Sequence, residues 1–350
     1  MRKKKIAIIF GGCSSEYSVS LQSAYSIISN MDSRCYETIL IGINREGSWF
    51  RYFGAIDRIQ DDTWHTEEKD CISVILSPDR HIHGIIELRR DGIRYERIDA
   101  AFPVMHGKNG EDGTVQGLIE LAGIPLIGCG TLSSALCMDK DRAHRLAAAA
   151  DICIPNSIVL TKQLTTRILF EKTKDLNYPL FVKPMKAGSS FGITKVYERL
   201  DLADAVKLAF EHDNEVIIEE NIEGFEVGCA ILGNQELIIG EVDEIELSKG
   251  FFDYTEKYTL KSSQIHMPAR IDDRTAEKIK QTAAIIYRTL GCRGFARVDM
   301  FLTPDNRIVF NEVNTIPGFT THSRYPNMMN GIGLPFRELL TRLIEMGLKG

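Results

Sequence analysis

The sequence predicts an α/β domain followed by two compact α+β lobes, and three observations carry that prediction. Lys5–Phe10 (KIAIIF) is a continuous apolar run broken by Gly11-Gly12, as expected of a parallel strand covered on both faces. The order strand, loop, helix recurs after it, which marks an α/β unit with a mostly parallel sheet. Past Gly130 the strand candidates come instead in hairpin pairs with helices beside them.

Taken in chain order, Ser18 is placed to cap a helix through Leu21, Ala24, Tyr25 and Ile28, which recur at helical spacing. Glu37–Ile43 and Ala100–Val104 read as further strands, the latter followed by the loop His106–Gly113. Thr114 is placed to cap the next helix, which stops at Gly123 with Pro125 just beyond. Ser133–Ala150 reads as one helix carrying Lys140. Tyr178–Lys183 and Ile193–Tyr197 read as strands around a glycine-rich turn, Asp201–Phe210 as a helix and Glu215–Glu220 as a strand. More strands follow Glu226, then a polar-aromatic loop near 248–262, a helix over 274–290, a hairpin and a C-terminal helix. Residues 1 to about 128 read as one α/β domain, and no internal repeat is found.

The 350 residues are 44% apolar and 26% charged, with a net charge of −6. This is ordinary soluble composition without a global electrostatic footprint for nucleic acid. No stretch reaches the roughly 18–20 apolar residues of a membrane helix. The basic start precedes an apolar run, Ile6 to Phe10, too short for a signal peptide. The eight cysteines are scattered, with no CxxC and no His at ligand spacing, and are read as free thiols in a reducing cytoplasm.

The strongest chemical signal is GFARVDMFLTPDNRIVFNEVNT. Two apolar strands flank Pro304-Asp305-Asn306. With Asp305-Asn306 as a two-residue tip, Asp299 faces Glu312 and Arg297 faces Asn314, all four on one side of the hairpin. Opposed carboxylates repel, and a bound divalent cation removes the conflict. An oxygen-only set suits Mg²⁺ completed by substrate phosphates rather than zinc. The competing reading is a solvated acidic edge neutralised by Arg297.

Weaker signals surround it. KPMKAGSSFGIT sets Gly188, Ser189, Ser190 and Gly192 between two strands, with Lys183 before them and Lys140 on the preceding helix. Small residues let backbone amides approach a phosphate, although the same pattern makes an ordinary hairpin turn. It is neither a Walker A loop nor a dinucleotide fingerprint. HGKNGEDG (106–113) is either an anion site before a helix N-terminus or only a turn and a cap. GFFDYTEKYTLKSS (250–263) reads as a lid or as a hairpin with Tyr at its edge. After the metal strand, NTIPGFTTHSRYPNMM (314–329) offers backbone N–H groups at Pro317-Gly318 for an oxyanion. It also offers His322, Ser323 and Arg324 for a carboxylate, unless it is simply a basic surface loop.

Together GGCSSEYSVS, PVMHGKNGEDGTVQG, MDKDRAH, the YPLFVKP strand with GSSFGITKV, EGFEVG, FFDYTEKY, RVDMF and NEVNTIPGFTTHS resemble the D-alanine–D-alanine ligase family over nearly the whole chain. The resemblance implies a Rossmann-like N-terminal substrate domain over residues 1–130 and a two-lobed ATP-grasp fold, its lobes 131–223 and 224–350. It implies ATP and two Mg²⁺ ions (or Mn²⁺), the metals held by Asp299, Glu312 and Asn314. Arg297 then stabilises transferring charge and the Gly318 amide helps form an oxyanion site. Lys140, Lys183 and Lys257 contact phosphates, while Ser190, Phe251, Glu219 and Glu226 belong to the nucleotide site, the two glutamates on its adenine and ribose sides. Glu16 orients the first D-alanine and joins Ser189 and Tyr258 in a triad that closes the lid. His106 lies near that substrate, and Ser323 meets the carboxylate of the second. A cytoplasmic homodimer without nucleic-acid or membrane partners is the family expectation.

Two positions depart from the housekeeping ligases, which usually carry Leu or Met where this chain has Arg324 and Tyr where it has Phe252. SRYPNMM (323–329) is similar to the glycopeptide-resistance ligases, and retention of EKY with Tyr258 is similar to their D-serine-using VanG/VanC type. A site that hydrogen-bonds a hydroxyl discriminates strongly against the analogue lacking it. Arg324 is the candidate donor, directly or through water, with Phe252 shaping the subsite. The alternative is a D-alanine–D-alanine ligase in which Arg324 only packs or pairs with an acid. A regulator that has lost its chemistry, or an NAD-dependent dehydrogenase, is the contrasting class. The complete set of carboxylates and lysines argues against the first, and the missing GxGxxG against the second.

Overall fold

The computed structural model describes residues 2–186, 192–247 and 263–349. Three sheets follow one another along the chain. The first is built from β1 (Lys4–Gly11), β2 (Tyr36–Ile43), β3 (Trp49–Tyr52), β4 (Cys71–Leu76), β5 (Gly84–Arg89), β6 (Gly92–Arg97) and β7 (Ala100–Val104), in spatial order β6-β5-β4-β3-β2-β1-β7. Only β1 with β2 and β1 with β7 run parallel; the other four pairings are antiparallel. The expectation of a mostly parallel sheet is therefore corrected. Its parallel core is the part that reads as unbroken apolar runs. β6 (GIRYER) is exposed at the edge and lacks that signal.

Helix α1 (Tyr17–Asn30) covers β1, with Glu16 rather than Ser18 at its N-cap and no side-chain cap bond. The short helix α2 spans Asp57–Gln60. Helix α3 (Thr114–Leu121) starts from Gly113, φ +91°, not from a Thr114 cap. A Cβ at Gly113 would lie 2.5 Å from the Thr131 carbonyl oxygen, and Asp112 Oδ1 accepts from the Thr114 N–H instead. The single helix expected over Ser133–Ala150 is two, α4 (Thr131–Met138) and α5 (Lys140–Ala149). Asp139 takes extended backbone between them and caps α5, its Oδ1 accepting from Arg142 N–H at 3.1 Å.

A four-stranded sheet, β10-β9-β11-β8, holds β8 (Ser157–Leu160), β9 (Leu180–Pro184), β10 (Thr194–Val196) and β11 (Val216–Glu220), with α6 (Thr166–Lys172) and α7 (Leu202–Ala209) beside it. A five-stranded sheet, β14-β13-β12-β15-β16, follows. Its strands are β12 (Phe225–Gly233), β13 (Leu237–Leu247), β14 (Ser263–His266), β15 (Phe295–Leu302) and β16 (Ile308–Asn314). Helices α8 (Asp273–Thr289), α9 (Arg324–Gly331) and α10 (Phe336–Lys349) complete the chain.

The β15–β16 register matters most. Arg297 pairs with Asn314 and Asp299 with Glu312, as the sequence predicts. The premise of a two-residue tip does not hold, however. Leu302 pairs with Ile308, Met300 with Phe310, and Thr303 N–H donates to the Arg307 carbonyl. The tip is thus the three residues Pro304-Asp305-Asn306, with Asn306 left-handed at φ +60°. One extra residue, Asn311, bulges from β16 and shifts the pairing by one. Tip and bulge compensate, so the four polar side chains still share a face.

The N-terminal sheet is joined to this hairpin by a triangle of buried rings. Phe102 on β7, Phe295 at the start of β15 and Phe319 meet edge-to-face with centroids 5.4–6.0 Å apart. Such pairs contribute about 0.5–1.5 kcal/mol each beyond their burial. Phe319 directly follows Gly318, so the triangle seats the Pro317-Gly318 turn between the two sheets.

Candidate active site

A cleft of about 740 Å³ opens where the sheets converge. Its walls include Glu16, His106 and Glu111 from the N-terminal domain, Lys140 at the start of α5, and Arg297, Glu312 and Asn314 from the hairpin. Gly318, Ser323 and Arg324 close it. Nine of the expected site residues, from Glu16 to Arg324, are thereby brought to one space.

On the hairpin, Arg297 Nε and Nη2 grip both oxygens of Asp299 at 2.8 and 2.6 Å. Asn314 Nδ2 donates to Asp299 Oδ2 at 2.9 Å. Asp299 is 1% exposed, so these donors are what make its charge tolerable. Two carboxylates and an amide oxygen, facing one another across a single strand pair, form the all-oxygen set that a hard divalent cation takes. The donor chemistry fits Mg²⁺ or Mn²⁺, and Arg297 and Arg324 supply the positive charge beside Asp299.

Arg324, at the first position of α9, is almost completely buried and its guanidinium is committed to acids. Nε and Nη2 form a bidentate pair with Asp243 at 2.7 and 2.8 Å, and Nη1 donates to Glu226 Oε1 at 2.8 Å and lies 3.4 Å from Asp299 Oδ1. Burial alone would lower its pKa; Asp243 and Asp299 outweigh that and hold the guanidinium firmly charged. Gly228 on β12 makes the space, since a Cβ there would lie 2.3 Å from Arg324 Nη2 and 2.7 Å from Asp243 Oδ1. Asp243 had no sequence signal of its own, being one of several acids in EVDEIE. Only the strand alternation turns it toward α9.

The N-terminal side of the cleft is held by short loops. The Glu16 carboxylate sits against Gly107, φ +69°, where a Cβ would lie 2.6 Å from Oε2. Ser14 Oγ donates to the His106 carbonyl at 2.6 Å. His106 Nε2 lies 3.3 Å from Ser23 Oγ, which also accepts from the Phe319 N–H at 3.2 Å. Burial first of all keeps the His106 imidazole below its ordinary pKa, against the pull of Glu16. Glu111 was not picked out in the sequence. Its carboxylate bridges two loops, accepting from Gly107 N–H at 2.8 Å and from Ile316 N–H at 3.3 Å. Burial, reinforced by Glu16, pushes its pKa up to about 8.

Gly318 is required by packing, since a Cβ would lie 2.8 Å from Ser323 Oγ. That hydroxyl also accepts from the Thr320 N–H at 2.9 Å. On the four-stranded sheet, Lys183 Nζ pairs with Glu219 Oε2 at 2.5 Å. Burial raises the Glu219 pKa, but Lys183, then His144, more than offset this and hold it below the usual carboxylate range. Ser189, Ser190, Phe251, Phe252, Lys257 and Tyr258 lie outside the described residues. So do the glycine-rich turn up to Phe191 and nearly all of the expected lid.

Comparison with known proteins is consistent along the whole chain. The model of the D-ala D-ala ligase N-terminus matches residues 5–129 and that of the D-ala D-ala ligase C-terminus residues 146–345. A D-alanine–D-alanine ligase of Caldicellulosiruptor bescii is 43% identical, over 100% of this chain and 96% of its own. The vancomycin B-type resistance protein VanB of Enterococcus faecalis is 44% identical over 100% of both. The crystal structure of the VanG D-Ala:D-Ser ligase from Enterococcus faecalis superposes with a TM-score of 0.92 at 57% identity, covering 99% of this chain and 100% of that one. The chain is a ligase of the D-alanine–D-alanine ligase family, with the ATP-grasp fold of that family.

Proposed function

We propose that the protein joins D-alanine to a second D-amino acid, D-serine in preference, with ATP converted to ADP and phosphate. The product, D-Ala-D-Ser, would enter altered peptidoglycan precursors and confer vancomycin resistance. The observation that carries this reading is the convergence of the hairpin's oxygen face, Arg297, the Gly318 turn, Glu16 and His106 on one cleft. Residues 1–130 serve as the substrate domain and residues 131–223 and 224–350 as the two ATP-grasp lobes of a cytoplasmic homodimer. The 57% identity to a D-Ala:D-Ser ligase supports D-serine as second substrate.

A carboxylate is a poor electrophile, so it is first activated. The carboxylate of the first D-alanine, its ammonium oriented by Glu16 beside His106, attacks the γ-phosphate and becomes an acyl phosphate as ADP departs. The amine of the second amino acid attacks that carbonyl carbon, and phosphate leaves with its electron pair. Lys140, Lys183 and Lys257 offset phosphate charge, with Ser190, Phe251, Glu219 and Glu226 around the nucleotide. Arg297 and the Gly318 N–H stabilise the developing oxyanion, which is catalysis by positioning and charge. Asp299, Glu312 and Asn314 would hold two Mg²⁺ ions, whose chemistry when bound is neutralisation of the phosphate oxygens. Tyr258 and Ser189, with Glu16, close the lid over the acyl phosphate and exclude water.

Ser323 meets the second substrate's carboxylate, and Phe252 and Arg324 set its side-chain subsite. Because Arg324 is held by Asp243 and Glu226, a serine hydroxyl has two routes. It can displace one of these bonds, or it can donate to a carboxylate that Arg324 keeps in place. The same pairing favours the second reading, a housekeeping D-alanine–D-alanine ligase in which Arg324 is structural. Mass spectrometry of products from the purified chain with ATP, Mg²⁺, D-alanine and equal D-serine separates the two. Dominant D-Ala-D-Ser supports the proposal, and dominant D-Ala-D-Ala selects the second reading. Absence of D-alanine-dependent ADP formation refutes both.

A further inference from the structure

His144 lies on α5 one turn beyond Lys140 and is 2% exposed. Its Nε2 is 2.8 Å from the Asn311 carbonyl oxygen. A carbonyl only accepts, so Nε2 carries a proton and donates. Its Nδ1 stands 3.5 Å from Glu219 Oε1, and among the described residues neither atom has a hydrogen-bond partner. The ring packs edge-to-face on Phe310 with centroids 5.4 Å apart. One imidazole is thus bonded to the bulge of β16 and lies beside the carboxylate that Lys183 grips on β11. Asn311 is the residue whose insertion sets Glu312 opposite Asp299.

We propose that His144 is a positioning residue that couples the nucleotide side of the cleft, Glu219 and Lys183, to the metal side, Asp299 and Glu312, by holding the Asn311 bulge. A histidine that merely filled the core would not need the bond to Asn311, and a ring of equal size would replace it. The proposal rests on the reading of the cleft as a site for ATP with a divalent cation. It adds that metal and nucleotide bind cooperatively through a side chain that ligates neither.

The test is calorimetric binding of ATP to the full chain, with Mg²⁺ and with EDTA, for the wild type, His144→Phe and His144→Gln. His144→Phe keeps a ring against Phe310 but has no donor for Asn311. The gain in ATP affinity on adding Mg²⁺ should fall about tenfold, the usual worth of a lost buried hydrogen bond. His144→Gln carries an amide N–H and should recover most of that gain. A lowered Tm in His144→Phe with the Mg²⁺ gain kept to within about twofold overturns the proposal and leaves a packing residue. Equal losses of affinity with and without Mg²⁺ overturn it as well. Should His144→Phe fail to fold, His144→Asn, too short to span both partners, carries the same readouts. A wild type that binds ATP and Mg²⁺ yet forms no dipeptide refutes the ligase reading alone. One that binds no ATP overturns both.

Discussion

Replacing Arg324 by Met removes the cation at the centre of a buried acidic group while keeping an unbranched apolar stem. Arg324 makes two bonds to Asp243, one to Glu226 and a longer contact to Asp299. The side chains of Arg324, Asp243 and Asp299 are only 7%, 1% and 2% exposed. After substitution Asp243 keeps the Gly228 N–H, 3.0 Å from Oδ1, but loses both bonds to its charged partner. Breaking a buried pair from one side costs about 3–5 kcal/mol, because the other charge is left in low dielectric. With a urea slope of ~2–3 kcal/mol/M, the unfolding midpoint should drop by roughly 1–2 M. Arg324→Lys should recover less than half, since an ammonium cannot fork onto one carboxylate. Arg324→Met combined with Asp243→Asn should lose clearly less than the sum of the single changes, with coupling of about 1–3 kcal/mol. Urea titrations followed by tryptophan fluorescence measure all four variants. A midpoint change below ~0.3 M for Arg324→Met, or strict additivity in the double variant, refutes the reasoning. The same Arg324→Met protein, given D-alanine and D-serine, should shift its products toward D-Ala-D-Ala. An unchanged ratio denies Arg324 a part in choosing the second substrate.

Three further outcomes follow from the cleft. Gly228→Ala places a methyl 2.3 Å from Arg324 Nη2; it should cost about 1–3 kcal/mol in urea unfolding and move the product ratio as Arg324→Met does. Ser23→Ala removes the hydroxyl between His106 and the Phe319 N–H; kcat should fall about tenfold with the KM for ATP unchanged, and a change in that KM instead would refute the assignment. Glu111, raised from 4.5 to about 8 in the folded chain, stays protonated where the unfolded chain has lost its proton. Its contribution to stability is therefore full below about 4.5 and is lost as pH rises through about 8. Glu111→Gln should flatten that decline in urea midpoints measured in EDTA, and parallel pH profiles for the two proteins would refute it.

What was legible in the sequence was local. The parallel strands announced themselves as apolar runs, and the hairpin's alternation brought Arg297, Asp299, Glu312 and Asn314 to one face. The pairing at the site came out right from a tip one residue too short, because the bulge restored the count. Nothing in IVFNEVN distinguishes Asn311 as the unpaired residue. Contacts across the chain were silent for a different reason. Arg324 meets Asp243 and Glu226 from 81 and 98 positions away. His144 reaches Asn311 from 167. Their side chains look like surface charges until the topology buries them. The strands β3 to β6 were missed because half-exposed antiparallel strands carry polar residues on their open side.

The two arms of the β15–β16 hairpin are unequal. Counting from the tip, β16 needs one more residue than β15 to arrive at the acidic pair. Whichever length the tip has, Asn311 must stay outside the ladder for the acidic pair to meet. Were Asn311 to enter the ladder, it would face Asp299 in place of Glu312, and Glu312 would pair with Val298 on the apolar side. The hairpin therefore depends on whatever holds Asn311 out of the ladder, and the contact to its carbonyl comes from His144 on another element.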